Sequence, residues 1–304
     1  MMRHYVTVDV FTERQFGGNP LAVVLDAQGL TPQQMQAVAA EFNYAETTFV
    51  LPPADPTHTA RVRIFTPRSE VPFAGHPNVG TAYVLATRDP ALATSGHLLF
   101  EEGAGLVPVS VLMEQGRVIG AEVTAPAALT RHATATVGQV ADCLSLSAGD
   151  IRTAEPRVLS VGLPFLVAEL ATRDALRRAR PNVAAHETML PLDGADAIYF
   201  YTYDVDRGEA PCDLMARMFA PLDGIPEDPA TGSATAAVAA LLAEESQTAD
   251  AEIRLRVLQG VDMGRPSVLH TRALRRDGKV ASVHVGGRCV PVMEGVLRVL
   301  EQAG

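Results

Sequence analysis

Tryptophan is absent from this 304-residue chain, and cysteine occurs only three times, as Cys143, Cys212 and Cys289. Three widely spaced thiols make neither a CxxC pair nor a disulfide framework. That pattern suits a reducing compartment, so the cytoplasm is the expected location and each cysteine is expected to be a small buried hydrophobe. No run of roughly 18 or more apolar residues is available to span a bilayer as a helix. The opening MMRHYVTVDVF also lacks an apolar core of roughly 7–15 residues ending at a small-residue cleavage site, so no membrane partner is expected. There is no basic patch with interleaved aromatics, and the formal net charge is −10; a nucleic-acid partner is not expected either.

Several chemical signatures are missing as well. GxxxxGK[ST] is absent, which removes a nucleoside-triphosphate loop, and so is the GxSxG elbow of a serine hydrolase. GAGLVP at 103–108 lacks the third glycine of a dinucleotide fingerprint. The eight histidines form no HExxH and no cluster with cysteine, so no metal and no cofactor are expected. Two classes survive these exclusions: a cofactor-free acid–base enzyme, or a binding protein for small anions.

What is present is apolar material enough for two cores: 47% of residues are hydrophobic and 20% charged. A chain of this length suits two lobes of roughly 150 residues each. The boundary is expected near Pro126, with an N-terminal lobe at 1–127 and a C-terminal lobe at 128–304, and with residues 291–304 packing back on the first. Alternation predicts strands at His4–Phe11, Leu21–Leu25, TTFVL, VRIFT, HLLFEE, VPVSVLM and VIGAEVTA. LTPQQMQAVAAEF reads as a helix with Thr31 as cap, Pro32 in first position and Gln34 completing a capping box. The second lobe repeats the plan, with a helix near Val140 and strands at RVLSVG, PFLVAEL, AIYFYTYD, RLRVLQG and VASVHVGG. In each lobe a glycine turn, GHPNVGTA or ATGSATAA, leads into one long apolar helix.

Those two turns hold most of the candidate chemistry. In FAGHPNVG, Gly75 permits close backbone approach, Pro77 starts a helix and His76 lies between them. A helix N-terminus offers free amide hydrogens and partial positive charge, which suits a carboxylate. The second turn, within GIPEDPATGSA at 224–234, adds another such terminus at Ala230–Ala234, with the Ser233 hydroxyl beside it. Asp228 reads either as the N-cap of that helix, with Pro229 as first helical residue, or as a site residue; Glu227 reads as a surface ion-pair partner. Glu46, in YAETTFVL, has no Lys or Arg between Gln15 and His58. It reads either as an exposed strand-edge glutamate or as a desolvated carboxylate whose raised pKa suits proton transfer. Arg265, in MGRPS, reads equally as an anion ligand or as a structural partner.

Taken in order, DVFTERQFGGNPLAVV, AAEFNYAETTFVLPP, VRIFTPRSEVPFAGHPNVGTAYVL, VGLPFLV, RMFAPLDGIPEDPATGSATAAVAALL, QGVDMGRPS and VHVGGRCVPVMEG make nearly the whole chain resemble the PhzF-like phenazine-biosynthesis isomerase family. The resemblance implies an α+β fold like that of diaminopimelate epimerase. In it, two pseudo-symmetric lobes each wrap a β-barrel-like mixed sheet around a central helix, with the site in the cleft between them. It implies a homodimer, and a small carboxylate-bearing, cyclic amino-acid-like substrate. It also implies that Glu46 is the acid–base residue, that His76 and Asp228 act with it, and that Gly75, Asn78, Thr231, Gly232 and Ser233 hold the substrate. Position 78 is Asn where relatives more often carry Thr. The related two-thiol racemases place cysteines at the two glycine turns, and neither turn here contains one. The expected activity is therefore proton relocation by an isomerase; a non-catalytic small-acid binder and a lyase using the same base are the alternatives.

Overall fold

The computed structural model describes residues 2–205 and 212–299, which fall into two compact units: 2–126 with 286–299, and 127–285. The first unit begins with strands β1 (Met2–Val10), β2 (Asn19–Val24), β3 (Glu46–Leu51), β4 (Ala60–Phe65) and the two-residue β5 (Glu70–Val71). It continues with β6 (His97–Glu102), β7 (Gly105–Glu114) and β8 (Arg117–Thr124), and its helices are α1 (Pro32–Phe42), α2 (Gly75–Arg88) and α3 (Pro90–Ser95). In the second unit lie β9 (Thr130–Thr134), β10 (Arg157–Ser160), β11 (Pro164–Glu169), β12 (Ile198–Thr202), β13 (Leu214–Ala220), β14 (Ile225–Asp228), β15 (Ala251–Gln259) and β16 (Ser267–Arg276). Its helices are α4 (Val137–Leu144), α5 (Arg173–Arg178), α6 (Val183–Met189) and α7 (Gly232–Glu245). The long strand β17 (Lys279–Arg298) follows β16 through the Asp277–Gly278 turn, where both residues have positive φ, as a two-residue hairpin requires.

In the first unit the pairings run β1–β2–β3–β4–β6–β7–β8–β17 and return to β1, so eight strands form a closed ring. Helix α2 packs against β1, β2, β3, β7 and β8, which places it inside that ring. An eight-stranded ring has an interior just wide enough to be filled by side chains, so a helix fits only if its own side chains are small. The composition of α2 answers this with Gly75, Gly80, Ala82 and Ala86 among its buried residues. A Cβ on Gly80 would lie 2.5 Å from Leu21 Cδ2 and 2.8 Å from Val10 Cγ2. The ring wall itself is as tight: a Cβ on Gly120 of β8 would lie 2.0 Å from the Gly287 carbonyl oxygen of β17.

The second unit solves the same problem with α7, whose run of alanines is buried on all sides from Gly232 to Ala240. Its contacts reach β10 and β11 as well as β15 and β16, strands near opposite ends of the pairing order β9–β10–β11–β12–β13–β15–β16, so the mixed sheet curls around it. On the outer face of that sheet a second core forms around Leu144, Leu166, Leu176, Ile198, Phe200 and Phe219, with the two phenylalanines edge-to-face at 4.8 Å. The fold class is thus the one expected: α+β, with barrel-like sheets around central helices.

Local expectations fare unevenly. The Thr31 capping box is present, with Thr31 Oγ1 accepting from the Gln34 amide at 3.2 Å and Gln34 Oε1 accepting from the Thr31 amide at 2.9 Å. All three cysteines are buried and none forms a disulfide, and among the described residues no helix is long and apolar enough to cross a membrane. Two expectations are corrected. Asp228 does not cap α7 and Pro229 is not its first residue: Asp228 ends β14, opposite Met218 of β13, and the helix begins at Gly232. The intervening turn is held instead by β15, because Gln259 donates to the Asp228 carbonyl at 2.9 Å and accepts from the Thr231 amide at 3.0 Å. Glu227 is not a surface residue either. It forms a two-point pair with Arg217, at 2.8 and 2.7 Å, and the Arg217 side chain is only 5% exposed. That guanidinium also donates to the carbonyls of Leu176 and Ala179 and lies 4.9 Å over the Phe219 ring.

Two outcomes follow from this packing. Gly80→Ala gains about 1 kcal/mol of helix propensity but overpacks a full interior at a cost of about 1–3 kcal/mol, so the urea midpoint falls. Glu227→Ala leaves a buried guanidinium without its counter-charge and costs about 3 kcal/mol, whereas replacing Arg217 and Glu227 together by apolar residues costs less than the single change. Equilibrium unfolding of the three variants checks both, and a neutral Glu227→Ala contradicts the account of the pair.

Candidate active site

In the first unit the site is built at one end of the ring. Strand β3 alternates, so Glu46 and Thr48 share the face toward α2 while Phe49 points outward into the core beneath α1. Thr48 Oγ1 meets Thr81 Oγ1 of α2 at 2.8 Å and fixes the helix against the strand. One turn nearer the helix start, Glu46 Oε2 lies 3.5 Å from His76 Nε2, with the two side chains 16% and 4% exposed. The reading of Glu46 as an exposed edge residue is thereby set aside.

His76 is held from behind. Asn19, the fully buried first residue of β2, directs Nδ2 at His76 Nδ1 from 3.2 Å. The amide nitrogen has only hydrogens to offer, so Nδ1 accepts and the ring proton sits on Nε2, facing Glu46. Burial pushes the imidazole pKa down to about 3, so the ring is neutral at ordinary pH. The contact is thus a neutral N–H facing a carboxyl group rather than an ion pair, and at 3.5 Å it is longer than a settled hydrogen bond.

No side chain caps α2: its N-cap is Ala74, and the amides of Gly75 and His76 stand in the first turn without a capping oxygen. Asn78 is fully buried and donates Nδ2 to the Ala74 carbonyl at 3.0 Å, so it fastens the turn that presents those amides.

The second unit has its own uncapped helix start. Thr231, the N-cap of α7, makes no capping bond. Its hydroxyl donates to Asp228 Oδ2 at 2.7 Å and accepts from Gln259 Nε2 at 2.9 Å, while its carbonyl accepts from the Thr235 amide and hydroxyl. Thr231 therefore acts as a strut, and the amides of Gly232, Ser233 and Ala234 are left to the first turn. Asp228, Thr231 and Ser233 are all buried, at 5–6% exposure. Arg265 contributes backbone to this turn's support: its amide donates to the Gly260 carbonyl at 2.9 Å, and Gly260, with φ +74°, lies against the carbonyl of Pro229.

So Glu46, His76, Gly75 and Asn78 come together in the first unit, and Asp228, Thr231, Gly232 and Ser233 in the second. Asn19 and Gln259 are functional supports that the motifs do not single out. Asn19 lies in FGGNP, where a turn is the evident role; Gln259 ends an alternating strand whose last inward position is polar, a signal that alternation exposes. Among the described residues no group of His, Cys, Asp and Glu could hold a metal ion.

Comparison with known proteins agrees in one direction. A sequence profile of the phenazine biosynthesis-like proteins matches residues 8–295. An uncharacterized isomerase of Mesorhizobium japonicum is 37% identical over 300 residues, which cover 97% of this chain and 98% of that protein. The trans-2,3-dihydro-3-hydroxyanthranilate isomerase of Pseudomonas chlororaphis is 34% identical over 301 residues, covering 97% and 99% of the two chains. Among solved structures, a predicted epimerase of Pseudomonas aeruginosa superposes with TM-score 0.78 at 34% identity, over 98% of this chain and all of that one. A PhzF-family phenazine biosynthesis protein of Bacillus anthracis superposes with TM-score 0.85 at 24% identity, over 98% of this chain and all of that one. With a match across nearly its whole length and relatives of this identity, the chain belongs to the phenazine biosynthesis-like family and is an isomerase.

Proposed function

We propose that this isomerase moves a proton between two carbons of a small carboxylate-bearing, cyclic amino-acid-like molecule by general acid–base catalysis, with Glu46 carrying the proton. The observation that supports this reading is the 3.5 Å approach of Glu46 to a neutral, Nε2-protonated His76 in a buried setting. In the proposed step the Glu46 carboxylate accepts a proton from one carbon, the electron pair left behind delocalises over the adjacent unsaturation, and the same carboxyl returns the proton to a second carbon. Atoms and charge are conserved, and no external acceptor is needed. His76 donates a hydrogen bond through Nε2 to Glu46 or to the substrate as charge develops. The uncapped amides of Gly75 and His76 receive the carboxylate. Asn78 supports that turn, and in the second unit Asp228, Gly232 and Ser233 form a substrate-binding set of their own, with Thr231 as its support.

The first test offers trans-2,3-dihydro-3-hydroxyanthranilate and a panel of small cyclic amino acids in deuterated water, and follows carbon-bound label by NMR and product mass. Proton relocation gives label at carbon without loss of water, whereas loss of water marks a lyase. Glu46→Gln lowers turnover by roughly 10²–10⁴-fold while ligand affinity is kept. Tight binding without label from any compound, unchanged in Glu46→Gln, identifies a binder and ends the proposal.

A second outcome concerns pH. A histidine whose folded pKa lies below its unfolded value leaves the unfolded chain holding more protons between about pH 3 and 6.5. Its contribution to stability is therefore complete above about pH 6.5 and is lost as pH falls toward 3. The ¹⁵N resonances of His76 accordingly keep the neutral Nε2–H pattern from pH 5 to 9; a transition near pH 6.5 contradicts the assignment of a neutral ring.

A further inference from the structure

Strand β6 ends in two successive glutamates with opposite fates. Glu101 points outward, accepts from the amides of Ala54 and Asp55 at 2.8 and 2.9 Å and meets His58 Nδ1 at 2.8 Å. Those bonds hold its carboxyl down at about 2. Glu102 takes the other face of the strand, shared with the buried Leu98 and Phe100. Both of its carboxyl oxygens are buried without a hydrogen-bond partner.

The topology puts Glu102 at the same end of the ring as Glu46. Strand β4 runs antiparallel to β3 and parallel to β6, so the first residue of β3 and the last of β6 lie at one rim. The segment leading into α2 reaches the same place, because the Ala104 amide donates to the Pro72 carbonyl at 3.0 Å. Asn78 is the side chain within hydrogen-bonding influence of Glu102, where it favours the charged form although no settled bond is made, and its Oδ1 is likewise buried without a partner. Protonation weakens that pull: a neutral Glu102 is a poorer acceptor than the carboxylate, so Asn78 Nδ2 stays with the Ala74 carbonyl.

We propose that Glu102 and Asn78 form a proton-operated positioning pair that sets whether the first turn of α2 accepts an anion: seated as the neutral acid, Glu102 leaves Asn78 fastened to Ala74, and its ionisation opposes an anion at the Gly75 and His76 amides. Loss of the proton to solvent acts in two ways. It puts a negative charge beside the helix start, countering the partial positive charge that attracts a carboxylate. It also makes the carboxylate compete with the Ala74 carbonyl for Asn78 Nδ2. Burial raises the Glu102 pKa to about 8, so the change falls in the alkaline range. The ionisable groups on the elements packed around it are few. On α2 the group is His76, neutral throughout; on β3 it is Glu46; β4 turns Arg61 and Arg63 to its outer face, Arg63 being paired with Glu70 of β5; and β7, opposite at Gly105, carries no ionisable side chain before Glu114.

This inference rests on the proposed reading of the α2 terminus as the carboxylate's seat, and two readouts separate them. The backbone amide shifts of Gly75, His76 and Asn78 are followed from pH 6 to 10 in the wild-type protein, in Glu102→Gln and in Glu102→Leu. Binding of anthranilate, a cyclic amino acid of constant charge in that range, is measured on the same samples by calorimetry. The three amides shift with a midpoint near pH 8 in the wild type and stay flat in both variants. Anthranilate affinity falls roughly tenfold or more across that midpoint in the wild type and is level in the variants. Amides that do not move, or a fall in affinity that persists in Glu102→Gln and Glu102→Leu, overturns the inference. Amides that move as expected while anthranilate fails to bind at every pH supports the proton-operated pair and removes the carboxylate reading of the site instead.

Discussion

A helix enclosed by strands has no solvent along its length, and that constraint shapes both units. The enclosed faces have to be narrow, so α2 and α7 are built from Gly, Ala and other small residues. The ends must still do something with amides that have no intrahelical partner. In neither helix does the N-cap side chain take that role: Ala74 has none to offer, and Thr231 commits its hydroxyl to Asp228 and Gln259. What packing makes necessary is thus also chemically useful, since an uncapped terminus is where an anion is most welcome in an otherwise acidic protein.

Because the same enclosure removes water, protonation there follows burial more than partnership. His76 and Glu102 are pushed in opposite directions, down to about 3 and up to about 8, and both shifts favour the uncharged form. Near neutral pH this rim of the ring therefore carries less charge than its residue types suggest. The outward-facing Glu101, one residue from Glu102, shows the contrast, because three hydrogen bonds hold it ionised.

Much of this is legible in the amino-acid order. Alternation finds β3, β6 and β7, the capping box finds α1, and the two glycine turns locate both enclosed helices. What escapes has a physical reason in each case. In SVLHTRALRR the outward positions carry His and Arg, which masks the strand β16. Asp228 and Pro229 carry every local mark of a helix start, yet tertiary bonds from Gln259 and pairing of β14 with β13 delay α7 to Gly232. Glu227 reads as exposed because its partner, Arg217, is ten residues away on a neighbouring strand. The site residues named from the turns gather in two local sets, but their supports, Asn19 and Gln259, are single polar residues on strands and carry no motif.

Strand β17 gives the first unit a dependence that its composition would not suggest. The ring closes only when residues 286–298 lie between β1 and β8, and those residues are made after the entire second unit. Until then β1 and β8 are two bare sheet edges, able to pair with whatever extended backbone is near. Assembly of the half that holds Glu46 and His76 therefore waits until the whole second unit has been made, and a nascent chain that stalls earlier has the makings of a site but no wall to hold it.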